Sequence, residues 1–221
     1  MSNYRQQKDN FLFSLFPDIP MVGKYSMPVI KPLNEAAVLN LLQFNFAKTC
    51  QNPEYYHLCF YIDDYQFERI WNEPLKTLEI LKKFKGVFGP DFSMFRDWPQ
   101  TLSIYNCWRN KVLMAFWQQQ GLEVIPNITW SDESSYEWCF DGLPRNSIVA
   151  ISSNGCAKEV TARKLFLNGF KEMKKRLNPT KIILVGAMPK ELSEEPNIIH
   201  FPGYSSLFGH KNKPITYKGE T

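Results

Sequence analysis

No two cysteines in this chain are spaced as CxxC. The five (Cys50, Cys59, Cys107, Cys139 and Cys156) are scattered and odd in number. That excludes a zinc ribbon and a CxxC redox motif, and leaves free buried thiols of a reducing compartment as the expectation. The three histidines, His57, His200 and His210, form no HxH or HExxH pattern, and no GxSxG is present, so the motif-bearing zinc and serine hydrolases drop out. GxxxxGK[ST] and GxGxxG are also missing, which removes the common nucleotide loops. No apolar run approaches membrane-spanning length. The opening stretch Met1 to Lys8 is polar and lacks the apolar core of a signal peptide. The net charge, +4, falls well short of a nucleic-acid-coating protein.

Aromatic and apolar residues are plentiful. A chain of 221 residues with 44% apolar content suits one domain with a full core. Aromatics reach 15%, with 17 Phe and six Trp, more than a core alone needs, so some Trp and Tyr are expected along a groove. Residues 1–20 read as an N-terminal arm, because Phe11 to Phe16 is apolar and Pro17 and Pro20 stop any helix. Residues 21–208 read as a single α/β domain. Residues 209–221 are polar and read as a flexible tail.

Within the domain, short apolar runs alternate with helical patterns. Strands are expected at Met27 to Ile30, His57 to Ile62, Gly86 to Phe88, Leu122 to Ile125, Ser147 to Ile151, Lys181 to Val185 and Asn197 to Phe201. Asn34 reads as the cap of a helix through Ala36, Ala37, Leu39, Leu41 and Leu42. Phe67, Ile70 and Trp71 begin a helical stretch that Pro74 restarts. Pro99 opens a long helix to Gln120 that Gly121 ends. Val160 to Leu177 is amphipathic, with Lys164, Lys171, Lys174, Lys175 and Arg176 on its outer face. Continuous apolar strands joined by helices predict an α/β fold: a mostly parallel sheet with crossover helices, compact or incomplete and βα-barrel-like.

In such sheets ligands bind at the carboxyl ends of the strands. Asp63 and Asp64 follow one expected strand, Asp91 another, and Ser152-Ser153-Asn154-Gly155 a third. Asp63, Asp64, Asp91 and Arg109 are the candidate catalytic residues. Converging carboxylates would suit Mg²⁺ or Mn²⁺, or would divide acid and base roles. Asn106, Asn127, Trp130, Ser152, Ser153 and Asn154 are the candidate ligand contacts. The Ser-Ser-Asn-Gly turn would bring backbone N–H groups to a phosphate or carboxylate, and Trp130 would stack a base or sugar. Each has a structural alternative. Asp64 fits a helix cap, Arg109 fits a buried ion pair with an acid such as Asp91, and Trp130 fits a lid over the core. Cys156 reads as a nucleophile near a helix N-terminus or as a buried thiol, and His200 is the histidine nearest the site.

Several pieces together resemble the domain of unknown function family numbered 4417. They are Phe60 to Asp64 with Phe67 to Trp71, Gly89 to Ser93 with Asp97-Trp98-Pro99, Asn106 with Arg109, Gly121 to Trp130, Cys139 to Pro144, and Val149 to Gly155. The resemblance covers roughly residues 20 to 200, and its ordered combination is more specific than any one piece. It implies a home in bacteriophages, prophages and mobile elements, mostly of Gram-positive bacteria, and so the cytoplasm of a bacterial host. It brings no activity and no catalytic residues. The expected function is a small enzyme acting on a phosphorylated or nucleic-acid-related substrate at the strand-end carboxylates. The alternative is a non-enzymatic accessory protein that binds a phage or host protein. One basic helix face gives weak, salt-sensitive nucleic-acid binding at most.

Overall fold

The computed structural model describes residues 18–38, 40–156 and 159–203, and the backbone of residues 215–216. Most of the expected arm and tail lies outside the described residues. The first described elements form a hairpin, β1 (Met21–Val22) and β2 (Met27–Pro28), paired antiparallel. β3 (Asn40–Gln43), β4 (His57–Cys59), α1 (Arg69–Asn72), α2 (Pro74–Leu81) and β5 (Gly86–Phe88) follow. Then come α3 (Gln100–Gln119), β6 (Val124–Ile125), β7 (Ile148–Ser152), α4 (Val160–Leu177), β8 (Lys181–Val185), β9 (Ile198–Phe201) and β10 (Ile215–Thr216).

The strands run parallel and in chain order. β3, β4, β5 and β6 are neighbours in one ladder, with β10 antiparallel on the outer side of β3. β7, β8 and β9 form a second ladder. A parallel bridge between Asn127 and Ala150 joins the two. The expected α/β class with a mostly parallel sheet is therefore what the chain adopts. No ladder joins β9 back to β3 or β10 among the described residues.

Alternation along each strand explains why the apolar runs are continuous. Leu58, Val87, Val124, Val149, Ile182 and Leu184 pack with Leu81, Leu113, Trp117, Phe170 and Met173 of the helices. Their strand neighbours Leu41, Cys59, Tyr61, Phe88, Ile125, Ala150, Ile183, Val185 and Phe201 gather in a separate cluster. Successive side chains point to opposite faces, so a strand buried on both faces is apolar at every position.

The expected helix from Asn34 is not formed. Residues 40–43 make strand β3 instead, with Leu41 in one core cluster and Leu42 in the other. The preceding backbone is already used: Leu33 N–H donates to Ser147 Oγ at 2.9 Å, and Leu33 carbonyl accepts from Ile148 N–H at 2.9 Å. Burial on two faces overrides the local helix preference of Glu35-Ala36-Ala37. The strand starting at His57 is shorter than expected, and its first residue lies at the end of the sheet away from the strand ends discussed below. There His57 Nε2 donates to Glu123 at 2.8 Å.

The N-terminal hairpin is held by Gly142, whose carbonyl accepts from Ile30 N–H at 2.8 Å. Gly142 sits at φ 74°, and a Cβ there would run into the Pro28 carbonyl. Gly142→Ala should therefore lower stability by about 2 kcal/mol or more, through positive-φ strain and the lost close approach. Urea denaturation would show an unchanged midpoint if the hairpin contributed nothing.

Candidate functional site

A cavity of about 540 Å³ opens where β5, β6 and β7 end. Its polar floor comes from Asp91, Thr129, Ser131, Ser152 and Asn154, and its apolar walls from Ile128, Trp130, Leu165, Phe166 and Phe95. Each strand contributes the first residues of its outgoing loop, which is why the site lies at the carboxyl ends. α4 closes one side. Gly169 of α4 has no Cβ because the indole of Trp130 occupies that space, and Trp130 stacks on Phe166 with ring centroids 5.5 Å apart.

Asp91 is held from one side. Its Oδ1 accepts from Thr129 Oγ1 at 2.9 Å and from Asn127 Nδ2 at 3.1 Å. Its Oδ2 has no hydrogen-bond partner among the described residues. Asn127 is itself fixed: Tyr61 OH donates to its Oδ1 at 2.9 Å, and its Nδ2 also reaches the Pro90 carbonyl at 3.0 Å. Burial pushes the Asp91 carboxyl up to about 6 from an ordinary 3.8; the hydrogen bonds from Thr129 and Asn127 oppose the rise, and the charge of Asp64 adds to it. Burial, with the Asp91 charge next, also holds the Tyr61 phenol well above its usual range. Burial pushes the Cys59 thiol up to about 12.

The loop that carries Asp91 is pinned by a polar stripe on α3. Asn110 pairs with both backbone groups of Phe92, accepting from N–H at 3.0 Å and donating to the carbonyl at 3.3 Å. Asn106 donates to the Ser93 carbonyl at 2.7 Å. Arg109 donates to Glu68 at 2.6 Å and to Asn106 at 2.9 Å, and its guanidinium lies 3.6 Å from the centre of the Phe92 ring. Asp64 accepts from Ser93 N–H at 3.1 Å and Ser93 Oγ at 2.9 Å. These groups grip one turn of loop from two sides.

The candidate residues therefore separate by position. Asp91, Trp130, Ser152 and Asn154 line the cavity. Asn127 stands behind Asp91. Asn106, Arg109 and Asp64 hold the loop, and Arg109 pairs with Glu68 rather than with Asp91. Asp63 is exposed, and Gln66 donates to it at 3.4 Å. Ser153 is buried, and its hydroxyl donates to the Ala187 carbonyl at 2.6 Å, tying the end of β7 to the segment after β8. His200 lies beyond it and donates to the Gly186 carbonyl at 2.7 Å.

No group of three or more His, Cys, Asp or Glu among the described residues is placed to hold a metal ion. The turn after β7 has also spent most of its N–H groups: Ser153 donates to Val185, Asn154 to Ser152 Oγ and Cys156 to Ser153. The N-terminus of α4 is occupied from within, because Glu159 accepts from Thr161 N–H at 2.8 Å and Ala162 N–H at 2.9 Å. Cys156 lines the cavity, but burial raises its thiol and Asp91 adds to the rise. The helix end therefore does not activate it as a nucleophile. The basic face of α4 is partly neutralised, with Arg163 on Glu191, Lys174 on Glu195 and Arg176 on Glu172.

Thr129, Tyr61, Asn110 and Glu68 escaped the sequence reading. Asn106 and Asn110 are four apart on α3, and Asn127 and Thr129 are two apart on an extended segment, so each pair shares a face. That spacing was the available signal.

The raised carboxyl has a consequence for stability. The folded protein holds the Asp91 proton more tightly than the unfolded chain does. The stabilisation is full below about pH 4 and is lost as pH rises through about 6. Asn cannot ionise and can keep the Oδ1 bonds. Asp91→Asn should therefore gain up to about 3 kcal/mol over wild type at pH 8 and nearly nothing near pH 4. Denaturant melts at the two pH values check this. A variant less stable than wild type at pH 8 would mark the ionised carboxylate as a structural anchor.

Comparison with known proteins agrees with the family expectation. The family model described as a domain of unknown function (DUF4417) matches residues 19–202. The chain is similar to the Gene 1 protein of Mycobacterium phage D29, 29% identical over 202 residues, which is 89% of this chain and 73% of that protein. It is similar also to the Gene 1 protein of Mycobacterium phage L5, 33% identical over 163 residues, which is 73% of this chain and 70% of that protein. No solved structure matches it. No helix among the described residues is long and apolar enough to cross a membrane. With the family model matching residues 19–202 and two phage proteins aligning along most of the chain, this protein belongs to the DUF4417 family of phage proteins.

Proposed function

We propose that this is a small phage enzyme whose site is the strand-end cavity and whose proton-transfer group is Asp91. One observation carries the reading: a carboxyl fixed at one oxygen by Asn127 and Thr129 keeps the other unpartnered in a cavity of about 540 Å³. A general acid or base works best when its pKa lies near the operating pH, and burial moves Asp91 toward that range. Structural carboxylates are normally paired. One that is half-buried, raised and half-free costs stability, which is the signature of a site kept for function.

In this reading the roles divide. Asp91 gives or takes the proton, Asn127 and Thr129 orient it, and Ser152, Asn154 and Ser131 supply neutral hydrogen bonds to the substrate. Trp130 and Phe166 form the apolar wall. Asp64, Asn106 and Arg109 position the loop. The cavity weighs against the phosphorylated half of the expected substrate class, because the α4 N-terminus and the turn after β7 are already satisfied.

A second reading, an accessory protein that docks on a phage or host protein, draws on one feature. Phe95 and Trp98 are 53% and 37% exposed and lie edge to face at the cavity mouth, 4.8 Å apart.

The two readings part on chemistry. Incubating the protein with a small-molecule extract of host cells, followed by mass spectrometry, should show at least one compound consumed and one formed. Asp91→Asn should reduce that rate at least about 100-fold without unfolding the protein. Equal turnover by wild type and Asp91→Asn would remove Asp91 from the reaction. Ala162→Trp, which fills the cavity from the partly exposed side of α4, should abolish turnover with little change in thermal midpoint.

A further inference from the structure

The charges around the cavity are uneven. Asp91, Asp97 and Glu159 line it, and the one cation among the described lining residues is Arg96. Arg96 is not free, because its Nη1 lies 3.2 Å from Glu159. The groups that act electrostatically on Asp91 from neighbouring elements are Asp64, Tyr61, Cys59 and Cys156. None of them is a cation. The remaining wall is aromatic: Trp130 stacks on Phe166 of α4, and Phe95 also lines the cavity. A negative, half-desolvated pocket with π faces attracts positive charge and repels phosphate.

Resting on the reading of Asp91 as the working group of this cavity, we infer that the ligand is a compact organic cation, an amine on an aromatic or apolar body, with its ammonium on Asp91 Oδ2. Oδ2 is the acceptor that no described residue uses. Trp130 and Phe166 receive the body, and the cavity has room for a bicyclic amine. Ser152 and Asn154 take any hydroxyl or second N–H. The arrangement also supplies a chemical step. An ammonium N–H bond breaks as the Asp91 O–H bond forms, both charges disappear, and the lone pair stays on nitrogen as a nucleophile. In a pocket that penalises charge, that neutralisation is easier than in water.

Titration of tryptamine and phenethylamine into the intact protein, followed by ligand-observed NMR and calorimetry, tests this. Indole-3-acetate, phenethyl alcohol and adenosine monophosphate serve as anionic and neutral comparators. Both amines should bind, with affinity rising about tenfold from pH 5 to pH 7.5 as Asp91 ionises. The comparators should bind at least about tenfold more weakly, and Asp91→Asn should cost the amines at least about tenfold. Asp91-dependent binding of the alcohol or of an anion as tight as that of the amines would overturn the cation class while leaving the cavity as the site. Amine binding that ignores both pH and Asp91→Asn would overturn the cation assignment as well. If no probe shows Asp91-dependent binding, while a compound from the host extract is still consumed in an Asp91-dependent way, the cation class fails and the proposed enzyme stands.

Discussion

Asn127 is held at both ends of its amide. Tyr61, just after β4, donates to the oxygen, and the nitrogen reaches Pro90 and Asp91 after β5. Asn127 also bridges to Ala150, the contact that joins the two parallel ladders. One residue, through its side chain and its backbone, therefore ties together the segments after β4 and β5 and strand β7 at the end of the sheet where the cavity opens. An amide suits this position because it donates and accepts at once. Buried at 4% exposure, it leaves neither group without a partner. The orientation of Asp91 depends on this clamp, and the shape of the cavity depends on Asp91 and on the loop it belongs to.

The rest of the molecule reinforces that loop. The middle of α3, Ser103 to Trp117, has no exposed residue, so its polar side chains must be satisfied inside. Asn106, Arg109 and Asn110 do this by binding the backbone of Phe92 and Ser93 and the carboxylate of Glu68. The polar stripe that looks costly in a core helix is the mould for the segment carrying Asp91. A ligand-facing carboxyl can stay half-unpaired because everything behind it is over-determined.

Much of the fold was legible in the chain. The strands at 86–88, 148–152 and 181–185 and the helices at 100–119 and 160–177 follow from apolar runs and helical spacing bounded by Pro and Gly. β3 was not legible, because its two buried leucines fit a helix as well as a strand and only the sheet decides between them. The site was partly legible. Position just after a strand is what pointed to Asp91, Trp130 and the turn after β7, which line one cavity. The distinction between lining residues and supporting residues was not in the sequence, because it depends on which way each loop turns. Asp64 and Ser153 follow strands just as Asp91 does, yet their oxygens go to Ser93 and Ala187. Glu159 filling the α4 N-terminus could not be read either, since a glutamate before a helix looks the same whether it caps the helix or faces solvent.

The central claim is that Asp91 is half-buried, fixed through one oxygen and unpaired with any cation among the described residues. A ¹³C NMR titration of the side-chain carboxyl of Asp91 in the intact protein measures this directly. A midpoint near 6 is expected. A midpoint near 4 would mean that Asp91 is either solvated or paired with a cation, and would contradict the central claim.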